Sequence, residues 1–338
     1  MIKRLIGAVA LAALAALAVA GCGEVANTIT PKPGTANQLT VELDWFPNAD
    51  HVGIYEAQTL GYFKQADLDV HLETPGNAAT PLGLLAAGKV DIAISYEPDV
   101  LLARNQNVAL VSVGAIVQRP LTSIISVGSQ HITTPAKLAG KTVGDAGIPY
   151  QHDFLQTILK QAGVNPASVK EIDLNEDLVT AMLTGKVNAT LGGYWNYEAI
   201  ELDQRHRHPN VIPVDQAGVP TYDELVFVVR KATIVYHAQL IRRFLHAVAR
   251  GYEAARANPV AAAQNLVKLN PGLDYKLQLA AVEATLTSFF PTGGHPWGWQ
   301  NASQWNVFAN WMFKEGLLSN ANAPVDASDN ELLAGQGV

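Results

Sequence analysis

The chain has 338 residues, more than the roughly 100 to 200 of one typical domain, so its length predicts two lobes. With 49% hydrophobic and 16% charged residues it is composed like a protein with a large buried core, which excludes a disordered chain and a collagen-like repeat. The formal net charge of −7 argues against a nucleic-acid partner, because phosphate backbones repel an anionic body, and a single cysteine, Cys22, excludes internal disulfides, cysteine metal clusters and redox pairs.

At the start, Met1 to Arg4 is short and basic, Leu5 to Ala20 is apolar, and Leu17-Ala-Val-Ala-Gly-Cys22 closes the run. This pattern predicts a cleaved secretory signal over residues 1–21. The apolar run is shorter than the about 20 residues a membrane-spanning helix needs. Ala20 and Gly21 directly before Cys22 resemble the lipobox of bacterial lipoproteins, which implies that Cys22 takes a lipid and becomes the new N-terminus. Beyond the signal, 21 basic residues face 30 acidic ones, a net −9. Residues 22–38, with Pro-Lys-Pro-Gly, read as a lipidated flexible tether. No later stretch is long and apolar enough to span a bilayer, so a body held at the outer face of the cell membrane is expected.

In chain order, Leu39 to Leu43 alternates like a strand, His51 to Gln65 has helical spacing that ends around Gly61-Tyr-Phe63, and Leu68 to Leu72 is a second strand. Thr80 to Ala87 is helical with Gly88 as its cap, and Val90 to Ser95 is a buried strand of the kind parallel sheets use. The same grammar returns after Ser123: strands at Ser123 to Val127 and Thr142 to Gly144, then a helix around His152 to Ala162. A strand at Leu225 to Val229 follows, then helices over Ala238 to Asn258, Pro259 to Leu269 and Tyr275 to Ser288. Trp305, Phe308 and Met312 share one helical face, which predicts core packing.

One passage repeats. Leu84-Leu-Ala-Ala-Gly-Lys-Val-Asp-Ile-Ala-Ile-Ser-Tyr96 parallels Met182-Leu-Thr-Gly-Lys-Val-Asn-Ala-Thr-Leu-Gly-Gly-Tyr194. In each copy a helix stops at glycine, a Lys-Val turn enters a strand, and an aromatic and acidic cluster emerges at the strand's carboxyl end. These clusters are Tyr96-Glu97 and Tyr194-Trp195-Asn-Tyr-Glu198. Ligands of open α/β sheets sit outside the carboxyl ends of strands, so both clusters are expected to face one cleft. Gly144-Asp-Ala-Gly147, between strand and helix, is a further candidate through its backbone N–H groups.

Leu43-Asp-Trp-Phe-Pro-Asn-Ala-Asp-His-Val-Gly-Ile-Tyr-Glu-Ala-Gln58, Gly61-Tyr-Phe63, Gly88-Lys-Val-Asp-Ile-Ala-Ile94, Leu138-Ala-Gly-Lys141 and Arg243 to Gly251 with Asn258-Pro259 carry a resemblance over nearly all of the mature chain. They resemble the NMT1/THI5-like substrate-binding lipoproteins of bacterial ABC importers for thiamine pyrimidine precursors. The resemblance implies a type II periplasmic-binding-protein fold, two α/β lobes joined by two hinge crossings around a ligand cleft. Lobe 1 is expected at 39–122 and 230–338 and lobe 2 at 123–229, with crossings near Leu121 to Ser126 and Leu225 to Arg230. Permease subunits, the membrane and a small pyrimidine are the expected partners of a monomer. Riboflavin, nitrate and sulfonate binders of the same superfamily are the alternatives, and a pyrimidine synthase is a weaker one.

A pyrimidine needs aromatic faces for stacking and an acid or amide at its polar edge. Trp45, Tyr96, Tyr194 and Trp195 are the candidate faces, and Glu97, Glu198, Asn48 and His51 the candidate edge groups. Each has a structural reading too: Trp45 as core, Glu198 as the start of a solvated helix, His51 as a helix cap. Aligned with the synthases, the position of the lysine that holds pyridoxal phosphate is Ser95, and that of the histidine consumed in the reaction is Asp99. Neither residue can replace the chemistry. No HExxH, nucleophile elbow or Walker loop occurs, and His206 and His208 lie in a solvated basic stretch. The expectation is therefore no catalysis, no cofactor and no metal.

Overall fold

The computed structural model describes residues 37–175 and 177–336. The signal, Cys22 and nearly all of the tether fall outside the described residues. Ten strands follow in chain order: β1 Gln38–Glu42, β2 Asp69–Glu73, β3 Ile92–Ser95, β4 Leu110–Val117, β5 Thr122–Ser126, β6 Thr142–Asp145, β7 Lys170–Asp173, β8 Ala189–Tyr194, β9 Asn210–Pro213 and β10 Leu225–Arg230. They form two sheets of the same plan, β2-β1-β3-β10-β4 and β7-β6-β8-β5-β9. In each, the first three strands are parallel, while the fourth, β10 or β5, runs antiparallel to its neighbours.

The repeated passage corresponds to β3 and β8, the central strands. Each is preceded by a helix, Pro81–Ala86 or Leu178–Leu183, that ends at a left-handed glycine, Gly88 (φ +70°) or Gly185 (φ +73°). Past each glycine a lysine N–H bonds back into the last turn, Lys89 to Leu84 and Lys186 to Ala181. This Schellman-type closure satisfies the orphan carbonyls and aims the chain into the strand. Position by position β3 is buried, as a central strand covered on both faces must be.

The structure moves the lobe boundaries. β10 pairs with β3 and β4, so 225–229 belong to the first sheet and the second crossing ends before Leu225. Thr122 already pairs with Tyr194 in the second sheet, so the first crossing is confined to 118–121. Strands β4, β7 and β9 and the helix Glu97–Asn105 carried no alternation or cap strong enough to be read from sequence. The predicted helix His51 to Gln65 is broken into a 3-10 turn Ala49–His51, a helix Val52–Thr59 and a turn of helix Tyr62–Gln65 beyond left-handed Gly61.

The long helix Lys231–Ala257 packs across Val52–Thr59 at glycines. A Cβ on Gly251 would sit 1.9 Å from the Gly53 carbonyl oxygen, and one on Gly53 would sit 2.2 Å from the Tyr252 ring. Only two glycines let these backbones touch, and their contact fixes the loop that precedes Val52. Trp305, Phe308 and Met312 are buried as predicted. The indole N–H of Trp305 donates to Asp223 Oδ2 at 2.9 Å, satisfying both buried groups. At the sheet edge, Ser328 bridges Ser112 and the Asp329 N–H donates to the Ser112 carbonyl, so the C-terminal segment covers strand β4.

Candidate functional site

The carboxyl ends of β1, β3, β6 and β8 converge on one cavity. From the first lobe come Asp44, Trp45, Asn48, Asp50 and Tyr96; from the second come Ala146, Ile148, Leu178, Gly192, Tyr194, Tyr197 and Glu198. Among the described residues, no arginine, lysine or histidine lines it.

The first-lobe wall is a loop held by its own side chains. Asp44 is 2% exposed, with Oδ1 2.8 Å from His51 Nε2 and Oδ2 accepting from the Tyr96 hydroxyl at 3.0 Å. The Asn48 backbone N–H donates to His51 Nδ1 at 3.3 Å, which places the ring proton on Nε2, toward Asp44. Asn48 Oδ1 accepts from the Asp50 N–H at 2.8 Å, capping the 3-10 turn. Trp45 is half-buried beside Phe46, whose ring meets Tyr197 edge-on from the other lobe.

The second-lobe wall follows β8. Glu198 Oε2 accepts from the Tyr194 N–H at 2.7 Å, which fixes the carboxyl at the strand end. Burial pushes the Glu198 carboxyl up to about 7, against the pull of the Tyr194 and Glu198 backbone N–H groups. Asn196, fully buried, donates through Nδ2 to Asp50 Oδ1 and to Thr285 Oγ1, both at 2.7 Å, so a side chain of one lobe grips an acid of the other. The Tyr197 hydroxyl accepts from Gln278 Nε2 at 2.9 Å.

The structure therefore brings Trp45, Asn48, Tyr96, Tyr194 and Glu198 together around the cavity. Four other candidates lie off its wall, each taken up by a partner distant in sequence or by the fold. His51 is a fully buried strut for Asp44. Glu97 faces away from the cavity: its Oε2 accepts from the Asp223 N–H at 2.7 Å, and burial, then the charge of Asp223, pushes its carboxyl well above the usual range. Trp195 donates its indole N–H to the Pro120 carbonyl at 2.9 Å and carries the Arg119 guanidinium on its face, so it braces the first crossing. Gly147 spends its N–H on Asp145 Oδ1, and the neighbouring Ala146 N–H goes to Gln151 Oε1, which leaves no anion nest.

Asp44, Asp50 and Tyr197 are wall residues that sequence reasoning passed over. Asp44 and Asp50 stood inside the quoted Asp-Trp-Phe-Pro-Asn-Ala-Asp run, and Tyr197 inside the aromatic cluster; no periodicity marks which side of a loop faces a cavity. Ser95 and Asp99 do not line it either.

Beneath the cavity the crossings are tied together. Fully buried Glu224 accepts at Oε2 from the N–H groups of Leu121 (2.6 Å) and Thr122 (2.9 Å) and from the Tyr222 hydroxyl (3.1 Å). Its Oε1 accepts from Thr122 Oγ1 at 2.9 Å.

Two lobes of like plan, two crossings and a cavity between strand ends define the type II periplasmic-binding-protein fold. A superposable solved structure is the periplasmic aliphatic sulphonate binding protein SsuA from Escherichia coli, with a TM-score of 0.63 at 18% identity, over 86% of this chain and 90% of that one. The family model described as "NMT1/THI5 like" matches residues 48–262, and the chain belongs to that family. The formylaminopyrimidine-binding protein of Halalkalibacterium halodurans is 34% identical over 297 residues, 86% of this chain and 88% of that one. A 4-amino-5-hydroxymethyl-2-methylpyrimidine phosphate synthase of Legionella pneumophila is 23% identical over 259 residues, 76% and 81% of the two chains.

Proposed function

We propose that this protein is an extracytoplasmic solute-binding lipoprotein, anchored through Cys22, that closes on a thiamine-related aminopyrimidine and passes it to an ABC permease without catalysing a reaction. The observation that carries this reading is the cavity itself: three carboxyls and three phenols beside an indole, with no basic side chain among the described residues. Aromatic faces can sandwich a flat ring while a carboxyl takes its amino edge, and the Halalkalibacterium relative is named for a ligand of that kind. Nitrate and sulfonates fit poorly, because among the described residues no basic side chain lines the wall and the Ala146 and Gly147 amides are already bonded within the chain. Synthase chemistry finds no amine in this wall for a Schiff base.

Calorimetry with formylaminomethyl- and aminomethyl-pyrimidine, riboflavin, nitrate and an alkanesulfonate tests the ligand: tight binding confined to the pyrimidines is expected, and tight riboflavin binding with none of the pyrimidines refutes the assignment. For the anchor, Cys22→Ser is expected to leave the membrane fraction and to lose palmitate labelling; persistence in the membrane refutes lipidation at Cys22.

A further inference from the structure

Asp50 is the acid of the cavity wall with the least freedom and the most unmet demand. It is 1% exposed and fixed from both sides: its N–H donates to Asn48 Oδ1, and its carbonyl accepts from the Tyr252 hydroxyl. Oδ1 accepts from Asn196 Nδ2 of the second lobe. Oδ2 is buried and has no hydrogen-bond partner among the described residues. The other two wall carboxyls are differently placed, since Asp44 has both oxygens engaged and Glu198 turns Oε2 to the Tyr194 N–H. A buried carboxyl oxygen without a donor bears its full desolvation penalty, and Asp50 is one of the residues that line the cavity.

We propose that Asp50 is a specificity-determining residue of the cleft: Oδ2 takes an N–H at the polar edge of the ligand, which restricts the site to flat rings presenting an amino group or a protonatable ring nitrogen there. The inference rests on the aminopyrimidine reading above and adds a second acid, on the lobe opposite Glu198, to the recognition. Because Oδ1 is held by Asn196 across the cleft, the same carboxyl joins ligand contact to the contact between lobes. Burial first, then the charges of Asp44, Glu198 and Glu224, push Asp50 well above the usual carboxylate range, while the Asn196 amide pulls the other way. A carboxyl whose charged form is disfavoured by burial gains from a ligand N–H, which turns an orphan oxygen into a hydrogen-bonded one.

The test compares formylaminomethyl-aminopyrimidine with the same ring lacking its 4-amino group, in wild type and Asp50→Asn. The asparagine keeps an oxygen for Asn196 but supplies no acid. Wild type is expected to prefer the amino ring at least tenfold, and Asp50→Asn to lose most of that preference while binding the deaminated ring within about threefold of wild type. A preference unchanged within twofold, or equal loss of both ligands, assigns Asp50 a structural role and overturns the proposal. A second measurement needs no variant: the ¹³Cγ resonance of Asp50 in wild type is expected to shift more when the amino ring binds than when the deaminated ring binds, and equal shifts overturn the proposal as well. Wild type that binds neither ring refutes the ligand assignment together with this inference, whereas wild type that binds the amino ring and is indifferent to Asp50→Asn refutes this inference alone.

Discussion

Glu224 is where the two crossings depend on one side chain, so its truncation is a sharp test of how the lobes are joined. In Glu224→Ala the N–H groups of Leu121 and Thr122 lose their acceptor inside a region where Leu121, Thr122, Tyr222 and Glu224 are all fully buried. Each buried N–H left unpaired costs about 1–3 kcal/mol, whereas the hydroxyls of Thr122 and Tyr222 can turn to other partners. Removing a carboxyl that burial itself disfavours recovers part of that loss. The expected net cost is about 3–5 kcal/mol. Glu224→Gln can keep its amide oxygen at the Oε2 position, accepting from both N–H groups, and turn its NH₂ toward Thr122 Oγ1, so about 1 kcal/mol is expected. Urea unfolding followed by linear extrapolation measures both, with an unchanged slope showing that the native state remains compact. Glu224→Ala costing less than about 1 kcal/mol, or Glu224→Gln costing as much as Ala, would refute the idea that this carboxyl's geometry ties the crossings.

Truncating a central aromatic anchor costs about 2 kcal/mol or more, so Trp45→Ala is expected to weaken pyrimidine binding at least about tenfold by calorimetry, while Trp195→Ala, whose indole serves Pro120, should change it less than about threefold. Glu198 is raised from 4.5 to about 7, so folding favours its protonated form: that stability is complete below pH about 4.5 and lost as pH rises through about 7. Thermal unfolding of the empty protein should therefore fall between pH 5 and 8, and Glu198→Gln should flatten the slope by up to roughly 3 kcal/mol; a wild-type slope of opposite sign would contradict it. Gly251→Ala forces a methyl to within 1.9 Å of the Gly53 carbonyl oxygen, with an expected cost of about 3 kcal/mol or more in urea unfolding; a neutral result would mean the helices separate freely.

The paired architecture was legible because its signals are local. A helix that stops at glycine and a Lys-Val turn into an apolar strand can be seen within a dozen residues, and it occurs twice. Strand β4, Leu-Val-Ser-Val-Gly-Ala-Ile-Val, is buried at every position and shows no alternation to distinguish it. The strand β10 was found but assigned to the wrong lobe, because its partners are chosen by pairing that spans more than a hundred residues. Site residues divide the same way. Motif and composition pointed to the loops after β1 and β8, but whether a polar side chain faces the cavity depended on remote partners: Asp223 for Glu97, 126 positions away, and Pro120 for Trp195, 75 positions away. Asp50 is the converse case, since its engaged oxygen depends on Asn196, 146 positions along the chain.

The sheet plan explains why binding and hinge residues come to lie side by side. The parallel strands β1, β3, β6 and β8 point their carboxyl ends at the cleft, and the residues that follow them supply much of the wall. The antiparallel strands β5 and β10 must then begin at that same end: Thr122 pairs with Tyr194, and Val226 with Ser95. Each begins at a crossing from the other lobe, so both crossings surface beneath the cavity. Glu97 and Glu224 are consequently buried close to wall residues and bonded to the backbone of the crossings, Glu97 to the Asp223 N–H and Glu224 to those of Leu121 and Thr122. A movement of one lobe against the other has to work through these bonds. Asn196 adds a direct grip from Tyr194's loop onto Asp50 at the far wall. A ligand that contacts Asp50 and Glu198, as proposed, would act on opposite sides of the same two crossings, which is the arrangement a closing cleft requires if ligand is to favour the closed form through differential contacts rather than through affinity alone.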